Sequence, residues 1–215
     1  LCITFTNKAA KEMKERVASI VKQQAKNINI ATFHSFCFDI IKMQAKKKTD
    51  LFIDFIVFDE DDCAEIIKTC NYYNFPIHQL QKFIDFVKLE KARRNIYSDD
   101  LLKDYEEVTK ELFKEKEDTI NNICSEKGNI NIKLKSFLKE KGHLFINSYN
   151  GVLYNSHGID FADIIVKTKE LFKDKELVEN LSKRYKFISI DEVQDTSTLE
   201  YSIIEKLFKD NNILI

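Results

Sequence analysis

Two adjacent carboxylates, Asp191 and Glu192, follow directly on the run Phe187-Ile188-Ser189-Ile190. That run is short, mostly apolar and β-favouring, which predicts a buried strand. Acids cannot stay in the middle of such a strand, because unpaired buried charge is very costly. They belong where the strand ends and the chain meets solvent or a ligand. In an open parallel α/β sheet that place is the crevice outside the carboxyl ends of the strands. There Asp191 can hold a hydrated Mg²⁺, a hard cation that takes few protein carboxylates and keeps waters and phosphate oxygens. Glu192 can orient and polarise a water that attacks the terminal phosphate of ATP. The pair has the layout of a Walker B site. The same dipeptide also fits a solvated helix face or a turn, so the surrounding elements must decide between them.

Those elements predict a sheet with the required edge. Leu1-Cys2-Ile3-Thr4-Phe5 reads as a buried strand, and Thr6-Asn7 can cap the helix that follows. In that helix Ala10, Met13, Val17 and Val21 share a stripe, while Lys11, Lys14, Glu15 and Lys22 fall away from it. Residues 28–33 repeat the strand, His34-Ser35 the turn, and Phe36, Ile40 and Met43 the apolar helix face. Successive strand-turn-helix units favour a parallel sheet, with both turns on the edge where Asp191 would emerge. Phe5 beside Asn7, and Thr32 and His34 beside Phe33, set aromatic rings next to small polar donors. Stacking plus hydroxyl, amide and imidazole bonds to phosphate is how single strands are gripped without sequence readout. The alternative is that Phe5 and Phe33 are core and the hydroxyls only cap helices.

Bulk properties set limits. With 44% hydrophobic and 32% charged residues in 215, the chain is globular. No apolar run approaches the roughly 20 residues needed to span a bilayer, so no membrane partner is expected. The net charge of −1 supplies no global attraction to nucleic acid, so any contact must come from a local patch. The five cysteines lack Cys-x-x-Cys spacing, which argues against zinc and for a reducing, intracellular compartment; nuclear, cytoplasmic and organellar locations stay open. Scarce glycine and proline (4 and 1) suggest long helices. The sequence begins at Leu1 inside one strand-like run and ends in another, Ile213 to Ile215, and reads as an interior piece of a longer protein.

The middle reads as helical and amphipathic. Phe55 to Phe58 is a short strand-like run. Asp59 or nearby acids open a helix with Ala64, Ile67 and Cys70 or Tyr73 inward. Leu80, Phe83, Ile84, Val87 and Ala92 mark a second helix, and Leu101, Tyr105, Val108 and Leu112 a third. Residues 114–135 show little periodicity and are expected to be a mobile insertion. Lys88, Lys91, Arg93 and Arg94 form either a phosphate-contacting patch or a solvated helix face. Farther on, Asp160 can cap a helix with Asp163 reaching back.

Ordered along the chain, these segments resemble a known set. Thr4-Phe5-Thr6-Asn7-Lys8-Ala9-Ala10-Lys11-Glu12-Met13, with Arg16 following, resembles motif Ia of the UvrD/Rep-type superfamily 1 DNA helicases. Ala31-Thr32-Phe33-His34-Ser35-Phe36 resembles motif Ib, and Asp191-Glu192-Val193-Gln194-Asp195-Thr196 resembles motif II. Gly158 to Ile165 is similar to the family's acidic segment before motif II. Val193 departs from the usual aromatic, which removes stacking area but no catalytic group. The resemblance implies an incomplete RecA-like parallel sheet of the P-loop NTPase type over 1–50 and 155–215, with an inserted all-helical subdomain over 51–154 beside the DNA path. It implies Asp191 as the Mg²⁺ ligand and Glu192 as the group that activates water. It also implies Phe5, Asn7, Thr32 and His34 as contacts to a DNA strand. ATP and Mg²⁺ are the implied cofactors, and single-stranded DNA and single/double-strand junctions the implied partners. The implied activity is 3′→5′ unwinding in repair or replication. No Gly-x-x-x-x-Gly-Lys-Ser/Thr loop occurs in the sequence, so the 215 residues alone are expected to be inactive. The alternative is a helicase-like module that binds single strands without hydrolysis.

Overall fold

A computed structural model describes residues 1–46, 54–209 and 211–214. The chain opens with strand β1 (Cys2–Thr4), helix α1 (Asn7–Val21), strand β2 (Ile30–Thr32) and helix α2 (Phe33–Ala45). The Thr6 hydroxyl accepts from the Ala9 amide to start α1, and the Thr32 hydroxyl accepts from the Ser35 amide to start α2. β2 is shorter than the expected 28–33, because Phe33 is already helical and its buried ring faces the core.

The next stretch holds β3 (Ile56–Val57), α3 (Glu60–Cys70), α4 (Ile77–Arg94), α5 (Leu101–Glu115), α6 (Glu117–Ile123), β4 (Ser125–Glu126), β5 (Asn129–Ile130), α7 (Ile132–Asn155) and β6 (Gly158–Ile159). After it come α8 (Phe161–Leu171), α9 (Lys175–Arg184), β7 (Phe187–Ile190), α10 (Thr198–Ile204) and β8 (Asn212–Leu214).

The chain forms two compact units, one of Leu1–Leu51 with Lys167–Ile215 and one of Phe52–Val166. The first is a parallel sheet in the order β2-β1-β7-β8, lined by helices. Ile3, Ile30, Ile188 and Ile190 of its strands are buried, as are Phe36, Ile40, Ile41, Leu199 and Ile203 of its helices. β7 is not buried along its length: Ile188 and Ile190 point inward, but Phe187 is 70% exposed.

The second unit has one helical core, with Leu80, Phe83, Val87, Val108, Leu112, Leu134, Leu138 and Ile146 at its centre. It is not all-helical. β3 and β6 pair in parallel, and β4 and β5 form an antiparallel hairpin turned at Lys127-Gly128 in positive φ. Residues 114–135 are correspondingly not featureless. They hold α6, the hairpin and the start of α7, and they send Ile120, Ile123, Cys124 and Leu134 into the core. A seven-residue helix and two-residue strands are too short to leave a periodicity in the sequence. In α3 Ile67 is buried and Cys70 packs partly against the core as expected, but Cys63 and Ile66 rather than Ala64 complete the inward face, and Leu101 at the tip of α5 stays exposed. The units divide at 51/52 and 166/167, against expected crossings at 50/51 and 154/155. Pairing of β6 with β3 carries 155–166 into the second unit.

In the lysine and arginine cluster of α4, Lys88 and Lys91 are buried and Arg94 is half-buried, while Arg93 is exposed and paired with Glu90. Lys88 is 1% exposed and bonds Asp160 Oδ2 at 2.7 Å and Asp163 Oδ1 at 3.0 Å. Buried Lys91 pairs with buried Asp104 at 3.1 Å, and Arg94 reaches Glu90, Glu111 and Glu115. Burial alone would push Lys88 down, but Asp163 and Asp160 hold it protonated; burial alone would raise Asp160, but Lys88 keeps it low. Among the described residues no helix is long and apolar enough to cross a membrane.

Candidate nucleotide and strand site at the sheet edge

The register of the first unit decides which residues meet. Thr4 pairs with Thr32 across β1 and β2, and Ile3 pairs with Ile190 across β1 and β7. Because the strands run parallel, everything that follows Thr4, Thr32 and Ile190 leaves the sheet on its carboxyl edge. Phe5, Asn7, His34, Asp191 and Glu192 are therefore brought to one rim. That rim is where parallel α/β sheets bind their ligands.

Asp191 is anchored through its backbone. Its amide donates to the Ile3 carbonyl at 2.9 Å, continuing the ladder one residue past β7. Its side chain is exposed, and the Thr4 hydroxyl donates to Oδ2 at 3.5 Å, a long contact. Glu192 breaks the strand. It adopts φ 54 and ψ 46, the left-handed region, which disfavours a side chain with a Cβ and long stem. Strain of this kind collects at functional sites, of the order of 1–3 kcal/mol per residue. It turns the carboxylate away from the sheet and toward solvent, where the Gln194 amide donates to it. The turn is closed by the Asp195 amide on the Glu192 carbonyl at 2.9 Å, and by the Thr196 amide on the Val193 carbonyl at 3.0 Å. Ser197 then starts α10 with a capping box to Glu200.

Two exposed hard-oxygen donors beside an open edge fit Mg²⁺, which uses one or two carboxylates and keeps its waters. Among the described residues no group of three or more His, Cys, Asp or Glu side chains could hold a metal, and a site of this Mg²⁺ type requires none.

The residues expected to contact a nucleic-acid strand differ in what they offer. Asn7 is exposed at the first turn of α1, and Phe5 is half-buried between the strand and that turn. Thr32 is 7% exposed, and its hydroxyl is committed to α2, accepting from the Ser35 amide and donating to the Ser35 hydroxyl at 2.8 Å. Ser35 is exposed one residue beyond His34. His34 is half-buried edge-on to Phe33. Burial lowers its pKa and Glu200 partly opposes, so the imidazole is neutral near pH 7 and can donate through one nitrogen and accept through the other. Three contributors were missed by local reading: Thr4, Gln194 and Glu200. Only the strand register and the turn geometry, not spacing, reveal them.

The whole chain, residues 1–215, matches the family model described as the UvrD/REP helicase N-terminal domain. It is 29% identical over its full length to a probable DNA helicase II homologue of Mycoplasma capricolum, covering 26% of that protein. It is 27% identical over 209 residues to the corresponding protein of Mycoplasma pneumoniae, covering 96% of this chain and 26% of that protein. It is 28% identical over 208 residues to the ATP-dependent DNA helicase PcrA of Staphylococcus aureus, covering 96% of this chain and 25% of PcrA. The chain thus spans about a quarter of the length of these relatives.

Proposed function

The chain belongs to the UvrD/REP helicase N-terminal domain family, and from that membership we propose that it is the first motor region of a longer ATP-dependent DNA helicase. Its relatives with named activity are ATP-dependent DNA helicases, and the full protein is read as translocating 3′→5′ on single-stranded DNA and opening single/double-strand junctions. In this reading the first unit is a RecA-like half-motor, and the second is a subdomain inserted into it. Asp191 holds the Mg²⁺ of the Mg²⁺–ATP complex. Glu192 orients the attacking water and takes its proton. Phe5, Asn7, Thr32 and His34 contact the strand, with Thr32 acting mainly through the cap that fixes His34. The metal, when bound, neutralises charge on the phosphates. The residues that cradle those phosphates are not among these 215.

One observation supports the reading most. Asp191, the strained Glu192 and the turns after β1 and β2 share a single carboxyl edge. Glu192→Gln in the full-length protein tests it. The expected result is a loss of DNA-stimulated ATP hydrolysis of about 10²–10⁴-fold, the usual contribution of a positioned general base, with single-strand binding retained. Hydrolysis equal to wild type would sink the catalytic assignment and leave a strand-binding module.

A further inference from the structure

The turn between α3 and α4, Asn71-Tyr72-Tyr73-Asn74-Phe75-Pro76, carries two adjacent tyrosines that the fold leaves in water. Tyr72 is 87% exposed and Tyr73 58%. Such a dipeptide on a flexible loop would mean little. Here the backbone beneath it is fixed. The Asn71 side chain donates to the Phe75 carbonyl at 2.7 Å and accepts from the Phe75 amide at 3.0 Å, bracketing both tyrosines. Asn74 sits in the left-handed region that Asn tolerates, and Pro76 locks the entry to α4.

The display is also backed by an aromatic stack that runs outward from the core. Buried Phe145 lies 6.2 Å from Phe137, and Phe137 lies 5.1 Å from both Phe75 and Tyr73. Tyr73 is the outer end of the stack, with Lys141 Nζ 6.0 Å from its ring centroid. Lys133 and Lys141 stand one helical turn to either side of Phe137 on α7. Of the exposed charges on α7 from 133 to 141, Lys133, Lys141 and Glu140 lie on the side of Phe137, two lysines to one glutamate, while Lys139 lies on the far side. Lys135 is half-buried and bonds Glu117.

Rigid, solvent-facing aromatic rings beside a local excess of lysine are the two parts of a sequence-tolerant single-strand platform. Every base offers a π-face to the rings, and the phosphates meet the ammonium groups. Aromatic rings are common at protein interfaces too, but lysine is depleted at their centres, and here Lys133 and Lys141 flank the rings. We propose that the Tyr72-Tyr73 turn, with Lys141 and Lys133, is a second single-stranded nucleic-acid contact in the Phe52–Val166 unit, separate from the sheet edge of the first unit. It rests on the reading of the protein as a DNA helicase. It adds a ligand surface that neither the motifs nor the charge pattern of the sequence disclosed.

The test is equilibrium binding of the full-length protein to fluorescent oligothymidylate over a range of salt concentrations. Tyr72 buries almost nothing, so Tyr72→Ala leaves the fold intact, and Tyr72→Phe keeps the ring. Tyr72→Ala is expected to weaken binding about tenfold, the size of one lost base stack, while Tyr72→Phe binds as wild type. Lys141→Gln is expected to flatten the salt dependence by about 0.7 in log–log slope. In Tyr72→Trp the new indole fluorescence should fall on adding the oligonucleotide. Phe5→Ala serves as the comparison at the sheet edge. If Phe5→Ala weakens binding while Tyr72→Ala, Tyr73→Ala and Lys141→Gln all bind as wild type, the second contact is overturned and the helicase reading stands. If the wild-type protein binds no oligothymidylate, both are overturned.

Discussion

Glu192 departs from the ordinary backbone at the point where the proposed function needs a carboxylate. Its left-handed conformation is disfavoured for a glutamate, and a glycine there would relieve the strain. Glu192→Gly should therefore stabilise the fold slightly, by roughly 0.5–1 kcal/mol, while abolishing hydrolysis by the full-length protein. A thermal melt and an ATPase assay on the same variant check both signs. Lys88 makes the opposite point, because its importance is invisible locally. Its carboxylate partners lie 72 and 75 residues away in sequence, so the α4 basic cluster looked like surface. The capping pair itself, Asp163 amide to Asp160 Oδ1 at 2.8 Å, was legible from the three-residue spacing. Lys88→Met should leave buried Asp160 without its ammonium partner and destabilise the second unit by about 3–5 kcal/mol, read as a shift in denaturant midpoint. Adding Asp160→Asn should recover part of that loss. Asp85 faces the same cluster. Burial, then Asp160 and Asp163, push its carboxyl up to about 6, against the opposing pull of Lys88. A folded value above the unfolded one means that Asp85 favours folding only at low pH, and that this contribution is lost as pH rises from about 4 through 6. Asp85→Asn should thus stabilise the protein at pH 7, by about 1–2 kcal/mol after allowance for partial solvent screening, and have no effect near pH 4.

Elements were legible where their period was long and hidden where it was short. The apolar positions of α4 at Leu80, Phe83, Ile84, Val87 and Ala92 are all buried as the helical spacing requires. The two-residue strands β3 and β6 and the seven-residue α6 offer no such repeat, so tertiary pairing alone reveals them. The approach of the Phe83 ring on α4 to α7 depends on one missing side chain. A Cβ on Gly142 would lie 2.8 and 2.9 Å from the ring of Phe83, which is fully buried and has no free volume to retreat into. Alanine improves helix propensity by about 1 kcal/mol, but overpacking costs about 1–3 kcal/mol, so the clash wins. Gly142→Ala is expected to lower stability by about 1 kcal/mol in chemical denaturation. The same change at Gly151, where a Cβ meets nothing within 4 Å, should raise it by a similar amount.

At the scale of the whole molecule, the parallel sheet and the shared carboxyl edge of its strands followed from strand-turn-helix repeats, whereas the extent of the second unit did not. Its closure is set by β3 and β6, which bring Ile56 beside Gly158 and Val57 beside Ile159 at the two ends of the segment. Entry and exit are thus neighbours, the arrangement that lets an inserted body fold as a unit of its own. Its core residues, from Cys63 to Leu153, all lie inside it, and so do both halves of the Lys88–Asp160–Asp163 and Lys91–Asp104 pairs. A polypeptide of residues 54–166, expressed alone, is therefore expected to be monomeric and to unfold in one cooperative transition. Its denaturant dependence should be about 1–3 kcal/mol/M in urea, as for small domains generally. A broad, non-cooperative melt of that piece would mean that the second unit needs the first to fold, and would remove the insertion reading. A cooperative melt that Lys88→Met shifts in the isolated piece would further fix the buried ion pairs as internal to it.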